Sequence, residues 1–337
     1  MRDLLPEDID RWVDKGGWPP YRADQVLGWL YKKPVSGLEG MTNVPADVRE
    51  ALADEFELAL PEVRKKMESA DGTVKLAFSL SDGETIESVM IPDDGRRTLC
   101  VSSQAGCRMA CRFCRTGKSG LKRHLSPSEI IGQAIVANEM AGKITNLVIM
   151  GMGEPLDNPE NLFAALDIMC DERGLAISPR RITLSTIGIV DELSRVISGG
   201  PPVNLAVSLH SAVQETRMKL LPVAGKTDLG CLKAALKKFP SGTRRKLTLE
   251  TVLLAGVNDS IEEARAMAVY ASDLEARVNI IRFNPFPGSG YCAPDEESVL
   301  AYQRQLKNKG VSAFIRKSRG QDILAACGQL AGEGDCS

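Results

Sequence analysis

The sequence predicts an α/β chain whose body is an open, six-unit β/α barrel, preceded by a small helical domain and a β-hairpin linker. Three observations predict it. From about residue 98 onward, short apolar runs of β type alternate with helix-start signals. Polar and glycine-rich clusters fall just after those runs, where β/α folds carry their chemistry. The loop after the first run packs three cysteines into eight residues, Cys107-Arg-Met-Ala-Cys111-Arg-Phe-Cys114.

Residues 1–58 read as the helical domain. Ile9, Trp12 and Val13 share one helical face, and Gly16-Gly17 ends it. Val26, Trp29 and Leu30 repeat the pattern. Pro45 opens a third helix with Val48, Leu52 and Phe56 on one side. Trp12, Trp18, Trp29, Tyr21 and Tyr31 concentrate here. Helical spacing favours core packing for these rings; a grip on RNA by stacking is the functional alternative.

Residues 59–95 turn to strands. Val74, Leu76, Phe78 and Leu80 alternate, Asp82-Gly83 is a hairpin signal, and Ile86 to Ile91 returns. Glu87 shares a strand face with Val89 and Ile91. Two readings stand: a strand-edge charge, or a buried carboxylate with the raised pKa of a general base.

Residues 96–337 form the barrel, with strands expected at 98–103, 145–150, 181–186, 203–208, 246–254, 278–283 and 311–316. Ser126-Pro127-Ser128-Glu129 is a capping box with proline at the first helical position, and Asn158-Pro159 and Asp259-Ser260-Ile261-Glu262 are similar starts. Repeated β-α units imply parallel strands joined by right-handed crossovers. They are too few to close an eight-stranded barrel. Gly151-Met-Gly153-Glu154, Ser185-Thr186, Ser208-Leu209-His210 and Asn284-Pro-Phe-Pro each follow a strand, so they ring the same barrel end as the cysteines.

Composition narrows the class. With 337 residues, 43% apolar and 26% charged, the chain can bury a large core. No apolar run reaches the roughly 18 residues of a membrane span, and the start, Met1-Arg-Asp-Leu-Leu-Pro, does not read as a signal peptide. A cytoplasmic protein is expected. Nine cysteines then fit thiol chemistry or metal ligation better than a disulfide framework. A net charge of −2 leaves any RNA contact to local basic patches.

Thiolates are soft ligands that select zinc or iron–sulfur clusters. An ordinary site takes four protein ligands, and the C-x₃-C-x₂-C motif supplies three. A cluster held this way keeps one iron open to a small molecule. The alternatives are zinc with His210 or another cysteine as fourth ligand, or three reduced cysteines in a loop.

The motif resembles the signature of the radical S-adenosylmethionine (radical-SAM) superfamily, whose fold is the open barrel expected above. The resemblance implies a [4Fe-4S] cluster on Cys107, Cys111 and Cys114, with the open iron binding S-adenosylmethionine. It narrows further. Thr98-Leu-Cys100-Val-Ser-Ser-Gln-Ala-Gly-Cys107, Gly151-Met-Gly-Glu154-Pro-Leu, Ser208-Leu-His210, Phe283-Asn284-Pro-Phe-Pro-Gly and Asp322-Ile-Leu-Ala-Ala-Cys327-Gly-Gln-Leu are similar to the adenine-C2 RNA methyltransferases, over nearly the whole chain. That family includes an enzyme acting on 23S rRNA and tRNA, and related enzymes methylate carbon 8. His124 stands where the family has asparagine.

By position the resemblance implies that Gly153, Glu154, Ser185, Ser208, Leu209, His210 and Asn284 contact S-adenosylmethionine. Cys327 becomes the methylated carrier, Cys100 its resolving partner and Glu87 the proton acceptor. Carbon 2 of adenine is electron-poor and cannot attack a sulfonium methyl, whereas a thiolate can. The methyl therefore passes through Cys327, a covalent enzyme–RNA link forms, and Cys100 attacks the Cys327 sulfur to release the product. Without the resemblance, Cys100 and Cys327 read as buried small hydrophobes; Cys170, Cys231, Cys292 and Cys336 match no functional position and are left as structural. Expected partners are 23S rRNA, tRNA and an electron donor such as flavodoxin or ferredoxin, and a monomer is expected. Candidate phosphate contacts are Arg96-Arg97, Arg108, Arg112, Arg115, Lys118, Lys122, Arg123, Arg180-Arg181 and Arg244-Arg245-Lys246. The rival readings are carbon-8 methylation by the same machinery, a metal-stabilised RNA-binding protein without catalysis, and a radical-SAM enzyme with a non-RNA substrate.

Overall fold

The computed structural model describes residues 1–35, 37–242 and 245–332. Helices α1 (Pro6–Lys15), α2 (Tyr21–Leu27) and α3 (Ala46–Glu55) build the start of the chain. Ile9, Val13, Val26, Leu30, Val48 and Leu52 are buried there, as the 3.6-residue period requires. Pro45 precedes α3 as its cap residue, and Phe56 lies just past its end. The tryptophans are half-buried: Trp12 and Trp18 pack ring against ring at 4.9 Å, and their indole N–H groups donate to Glu55 and Asp47. Each packs one side against the core and leaves the rest exposed. This unit docks on the barrel through Asp10, which takes a two-pronged bond from Arg173, and through Asp3, which accepts from the Ser128 N–H.

Strands β1 (Glu62–Glu68), β2 (Val74–Ser79), β3 (Thr85–Asp93) and β4 (Arg96–Val101) follow as an antiparallel meander. The charge-rich β1 carries no alternation, and no strand is legible there in the sequence. Strand β2 alternates in sequence, yet Lys75 and Ala77 on its second face are buried as well. The reason is position: β2 and β3 are inner strands of one continuous sheet, covered on both sides.

A short ribbon, β5 (Gln104–Gly106) with β6 (Leu121–His124), brackets the cysteine loop and the single turn α4 (Arg115–Lys118). Helix α5 (Pro127–Ala141) starts at the expected capping box, with Ser126 accepting from the Glu129 N–H and Glu129 from the Ser126 N–H. The chain then alternates through β7 (Asn146–Ile149), α6 (Pro159–Cys170), β8 (Ile182–Thr186), α7 (Val190–Ser198), β9 (Asn204–Ser208), α8 (Gln214–Leu220) and α9 (Leu229–Leu236). It ends with β10 (Leu247–Leu253), α10 (Ile261–Ser272), β11 (Arg277–Arg282), α11 (Glu296–Asn308) and β12 (Ala313–Arg316).

Sheet order is β1-β2-β3-β4-β7-β8-β9-β10-β11-β12, parallel from β4 onward. Six crossovers link these parallel strands and the sheet stays open, with β1 and β12 at its edges. The open six-unit barrel is thus the observed architecture, and the hairpin linker extends its sheet. One large apolar core runs from the N-terminal helices through the barrel; a smaller one, with Phe113, Val252, Ile281 and Phe283, lies at the barrel end that carries the cysteines.

Candidate active site

Every parallel strand delivers its C-terminal loop to one barrel end. There a cavity of about 130 Å³ is lined by Cys107, Cys111, Cys114, Gly153, Glu154, Ser185, Ser208, His210, Glu250 and Cys327. Residues far apart in sequence thus meet around one space.

The cysteine loop is shaped by the ribbon beneath it. Gly106, at φ +75°, passes so close to the Gly120 carbonyl that a Cβ there would overlap it at 1.9 Å. The Cys107 N–H donates to that same carbonyl. Burial pushes Cys107 up to about 12 and raises Cys111 and Cys114; the neighbouring thiols add to the rise at Cys107 and Cys111. Three thiolates facing one dry space repel one another unless positive charge joins them, which the irons of a cluster supply. Among the described residues no three His, Cys, Asp or Glu side chains are set closely enough for a single metal ion. The thiols instead line a cavity wall, as a multi-iron cluster asks, so the donor set fits that group. For the zinc alternative, His210 has its Nδ1 engaged by the Val252 N–H, at 3.1 Å.

Glu154 follows β7 and is buried at 3% exposure. Its carboxylate accepts from the Thr186 hydroxyl at 2.6 Å and from the N–H groups of Ile187 and Leu156. Desolvation still outweighs these donors and pushes its pKa up to about 7. Gln104, which sequence reasoning missed, accepts the Glu154 N–H and donates to Asp157, tying the ribbon to this loop.

His210 adopts φ +60°, so the chain turns sharply after β9. Its ring meets Phe113 of the cysteine loop edge to face, and burial pushes it down to about 3, neutral at any ordinary pH. Arg217, also unforeseen, is buried and donates to the carbonyls of Ser208, Leu209 and Ile187, clamping the ends of β8 and β9 together. Leu209 is packed in the core and its side chain does not line the cavity.

Strand β10 carries the largest omission. Glu250 is 7% exposed and lines the cavity, with Ser185 and Asn279 donating at 3.4 Å each; burial raises its pKa. In sequence it is one charge in an apolar strand. Only the register with β9 and β11 shows that it points inward.

Cys327 sits on the loop after β12. Its surface opens into the cavity while protein surrounds it, and burial, with Glu250 next, pushes its thiol up to about 12. Asn284 does not line the cavity; its amide donates to the Cys327 carbonyl and accepts from Gln321. Cys100 is buried on β4 and does not line the cavity; its thiol is raised by burial and next by Cys327, and both are free thiols here. Glu87 is no strand-edge charge, because β3 is an inner strand. It is 3% exposed, pairs with Lys75 at 3.0 Å and accepts from the N–H groups of Ala331 and Gly332.

Several expected phosphate contacts are occupied otherwise. Arg108 binds Asp157, Arg123 binds Asp82 and Glu129, and Arg96 binds Asp93. Arg245 lies over the Phe239 ring. Arg112 and Lys122 remain exposed. Arg244 and Cys336 lie outside the described residues.

Comparison with known proteins agrees with this layout. The sequence model of the radical SAM superfamily matches residues 101–268, and that of the ribosomal RNA large subunit methyltransferase N-terminal domain matches residues 1–58. The dual-specificity RNA methyltransferase RlmN of Bdellovibrio bacteriovorus is 41% identical over 330 residues, 97% of this chain and 82% of that protein. The protein of the same name from Nitratidesulfovibrio vulgaris is 43% identical over 341 residues, 97% of this chain and 93% of its own. The crystal structure of a radical SAM methyltransferase from Sphaerobacter thermophilus superposes with a TM-score of 0.93 at 37% identity, covering 99% of both chains.

Proposed function

We propose, from the premise that this chain belongs to the radical SAM superfamily and within it to the RlmN family of RNA methyltransferases, that it methylates carbon 2 of adenine in 23S rRNA and tRNA through Cys327. It is an S-adenosylmethionine-dependent radical methyltransferase. The observation that carries the proposal is that Cys327 lines the same cavity as the three motif cysteines, with Cys100 buried on β4 and its thiol raised in part by Cys327. An ordinary radical-SAM site has no use for the extra pair.

Cys107, Cys111 and Cys114 would hold the cluster, and Gly153, Glu154, Ser185, Ser208 and His210 would hold S-adenosylmethionine beside it. Leu209, whose carbonyl accepts from Arg217, would act by placing Ser208 and His210, and Asn284 by setting the Cys327 loop. When bound, cluster and S-adenosylmethionine supply an electrophilic methyl group and a hydrogen-abstracting radical, chemistry no side chain offers.

The protein's own groups do the rest. Cys327 carries the one-carbon unit as a thioether and presents it to the adenine. Once that carbon is bonded to carbon 2, Glu87 takes the ring proton and the Cys100 thiolate attacks the Cys327 sulfur. The carbon–sulfur bond breaks with its electron pair going to the released carbon, which takes a proton from solvent to complete the methyl group; methylated RNA leaves, and a Cys100–Cys327 disulfide remains. For this, Glu87 must exchange its bonds to Ala331 and Gly332, so the carrier loop has to shift during turnover. In this reading residues 1–58 are an RNA-binding accessory domain, residues 59–95 the linker and residues 96–337 the catalytic body. A flavodoxin- or ferredoxin-type donor supplies electrons to a cytoplasmic monomer. Among the described residues, no helix is long and apolar enough to cross a membrane.

The test uses anaerobically reconstituted protein, S-adenosylmethionine with a deuterated methyl, and rRNA and tRNA transcripts. Mass spectrometry of nucleosides and of the Cys327 peptide should give 2-methyladenosine that has lost one deuterium, absent from Cys327→Ala. An 8-methyladenosine product changes the target carbon. Intact S-adenosylmethionine and an unmethylated Cys327 overturn the reading in favour of a binding protein.

A further inference from the structure

We propose that Phe314 and Arg316, on the inner face of the edge strand β12, form a shelf that stacks a base and grips a phosphate of the RNA strand flanking the target adenine. The inference rests on the RNA-methyltransferase reading above and assigns it two residues.

Strand register carries it. Glu250 of β10 lies beside Asn279 of β11, which lies beside Phe314 of β12. One step on, Val252 lies beside Ile281, which lies beside Arg316. Neighbours in such rows of a parallel sheet point to the same face. Glu250, Val252 and Ile281 line the cavity that holds Cys327, and Asn279 donates to Glu250 across the row. Phe314 and Arg316 therefore face the inside of the open barrel, beyond the cavity wall.

Both side chains are open to an incoming ligand. Strand β12 ends the sheet, so no strand lies beyond it. Phe314 is 49% exposed, Arg316 is exposed, and Lys317 follows, exposed as well. Among the described residues no carboxylate forms a salt bridge with Arg316, unlike Arg108 and Arg123 at the cysteine loop. A ring with an open face next to a guanidinium matches what unpaired RNA offers: a base to stack on and a phosphate to pair with. A base held there would anchor the strand while its neighbour enters the cavity toward Cys327.

The test compares Phe314→Ala, Phe314→Leu, Phe314→Trp, Arg316→Gln and Arg316→Lys with the wild type in reconstituted enzyme. Affinity for an unmodified tRNA transcript is measured by fluorescence anisotropy over a salt series, with single-turnover methylation alongside. F314A and F314L should each weaken binding by at least about fivefold, the lower bound for losing one stacked base, and F314W should restore it. R316Q should lower the slope of log affinity against log salt by about 0.7, one phosphate contact, and R316K should retain it. Full affinity in F314L, or an unchanged slope in R316Q, overturns the shelf while a methylating wild type upholds the family reading. A wild type that neither binds nor methylates RNA overturns both.

Discussion

Lys75 and Glu87 form a 3.0 Å ion pair between adjacent strands, each about 95% buried, and both hold the loop that bears Cys327. The Lys75 ammonium donates to the Leu324 carbonyl, and the Glu87 carboxylate accepts from the Ala331 and Gly332 N–H groups. The β2–β3 hairpin thus anchors the Cys327 loop on both sides of its cysteine.

Replacing Lys75 with Met leaves Glu87 buried and uncompensated. A broken buried pair costs about 3–5 kcal/mol, so urea unfolding of K75M should show a loss of that size. The double variant K75M/E87Q should recover part of it. Methylation of Cys327 by S-adenosylmethionine should slow in K75M, because the loop loses its tie to Leu324.

Cys100 and Cys327 have separable roles in the proposed reaction. Cys100→Ala should form the enzyme–RNA link and fail to resolve it, so a slow-migrating protein–RNA species accumulates on a denaturing gel. Cys327→Ala should give neither that species nor methylated RNA. An unlinked, active C100A would remove Cys100 from the mechanism.

Glu154 makes the cofactor-free protein sensitive to pH. Its folded pKa of about 7 lies above the unfolded value of 4.5, so the folded state holds the extra proton between them. That stability is fully present below pH 4.5 and is lost as pH rises toward 7. At about 1.4 kcal/mol per pH unit, the window amounts to about 3 kcal/mol. His210, whose folded pKa of about 3 lies below its unfolded 6.5, acts in the opposite sense up to pH 6.5, so the readout is the comparison with Glu154→Gln: from pH 5 to pH 8 the wild type should lose unfolding free energy relative to the variant.

Gly153 sits at φ +106°, and a Cβ there would meet the Gln104 Cβ at 2.7 Å and the Ser103 Oγ at 2.8 Å. Gly153→Ala is therefore strained twice over, by conformation and by contact. It should displace the Glu154 N–H from Gln104 and weaken S-adenosylmethionine binding by about tenfold, roughly 1.4 kcal/mol, in equilibrium dialysis.

The order of the barrel's strands and helices, its open form, the three cysteines in one loop and the strand-end clusters are legible in the sequence. All are written in contiguous residues: a 3.6- or 2-residue period, a capping box such as Ser126 to Glu129, a fixed cysteine spacing. The strand β1 escaped because its charges leave no apolar period for an edge strand to show. The folded arrangement alone reveals that Glu87 is buried against Lys75, that Glu250 faces Cys327's cavity, that Arg217 clamps three carbonyls and that Phe314 and Arg316 share the row of the inward residues. Each depends on which strands lie side by side and in what register. A one-residue slip would turn every one of those strand side chains to the opposite face. No stretch of chain carries that information alone, because the long-range packing of the sheet sets it.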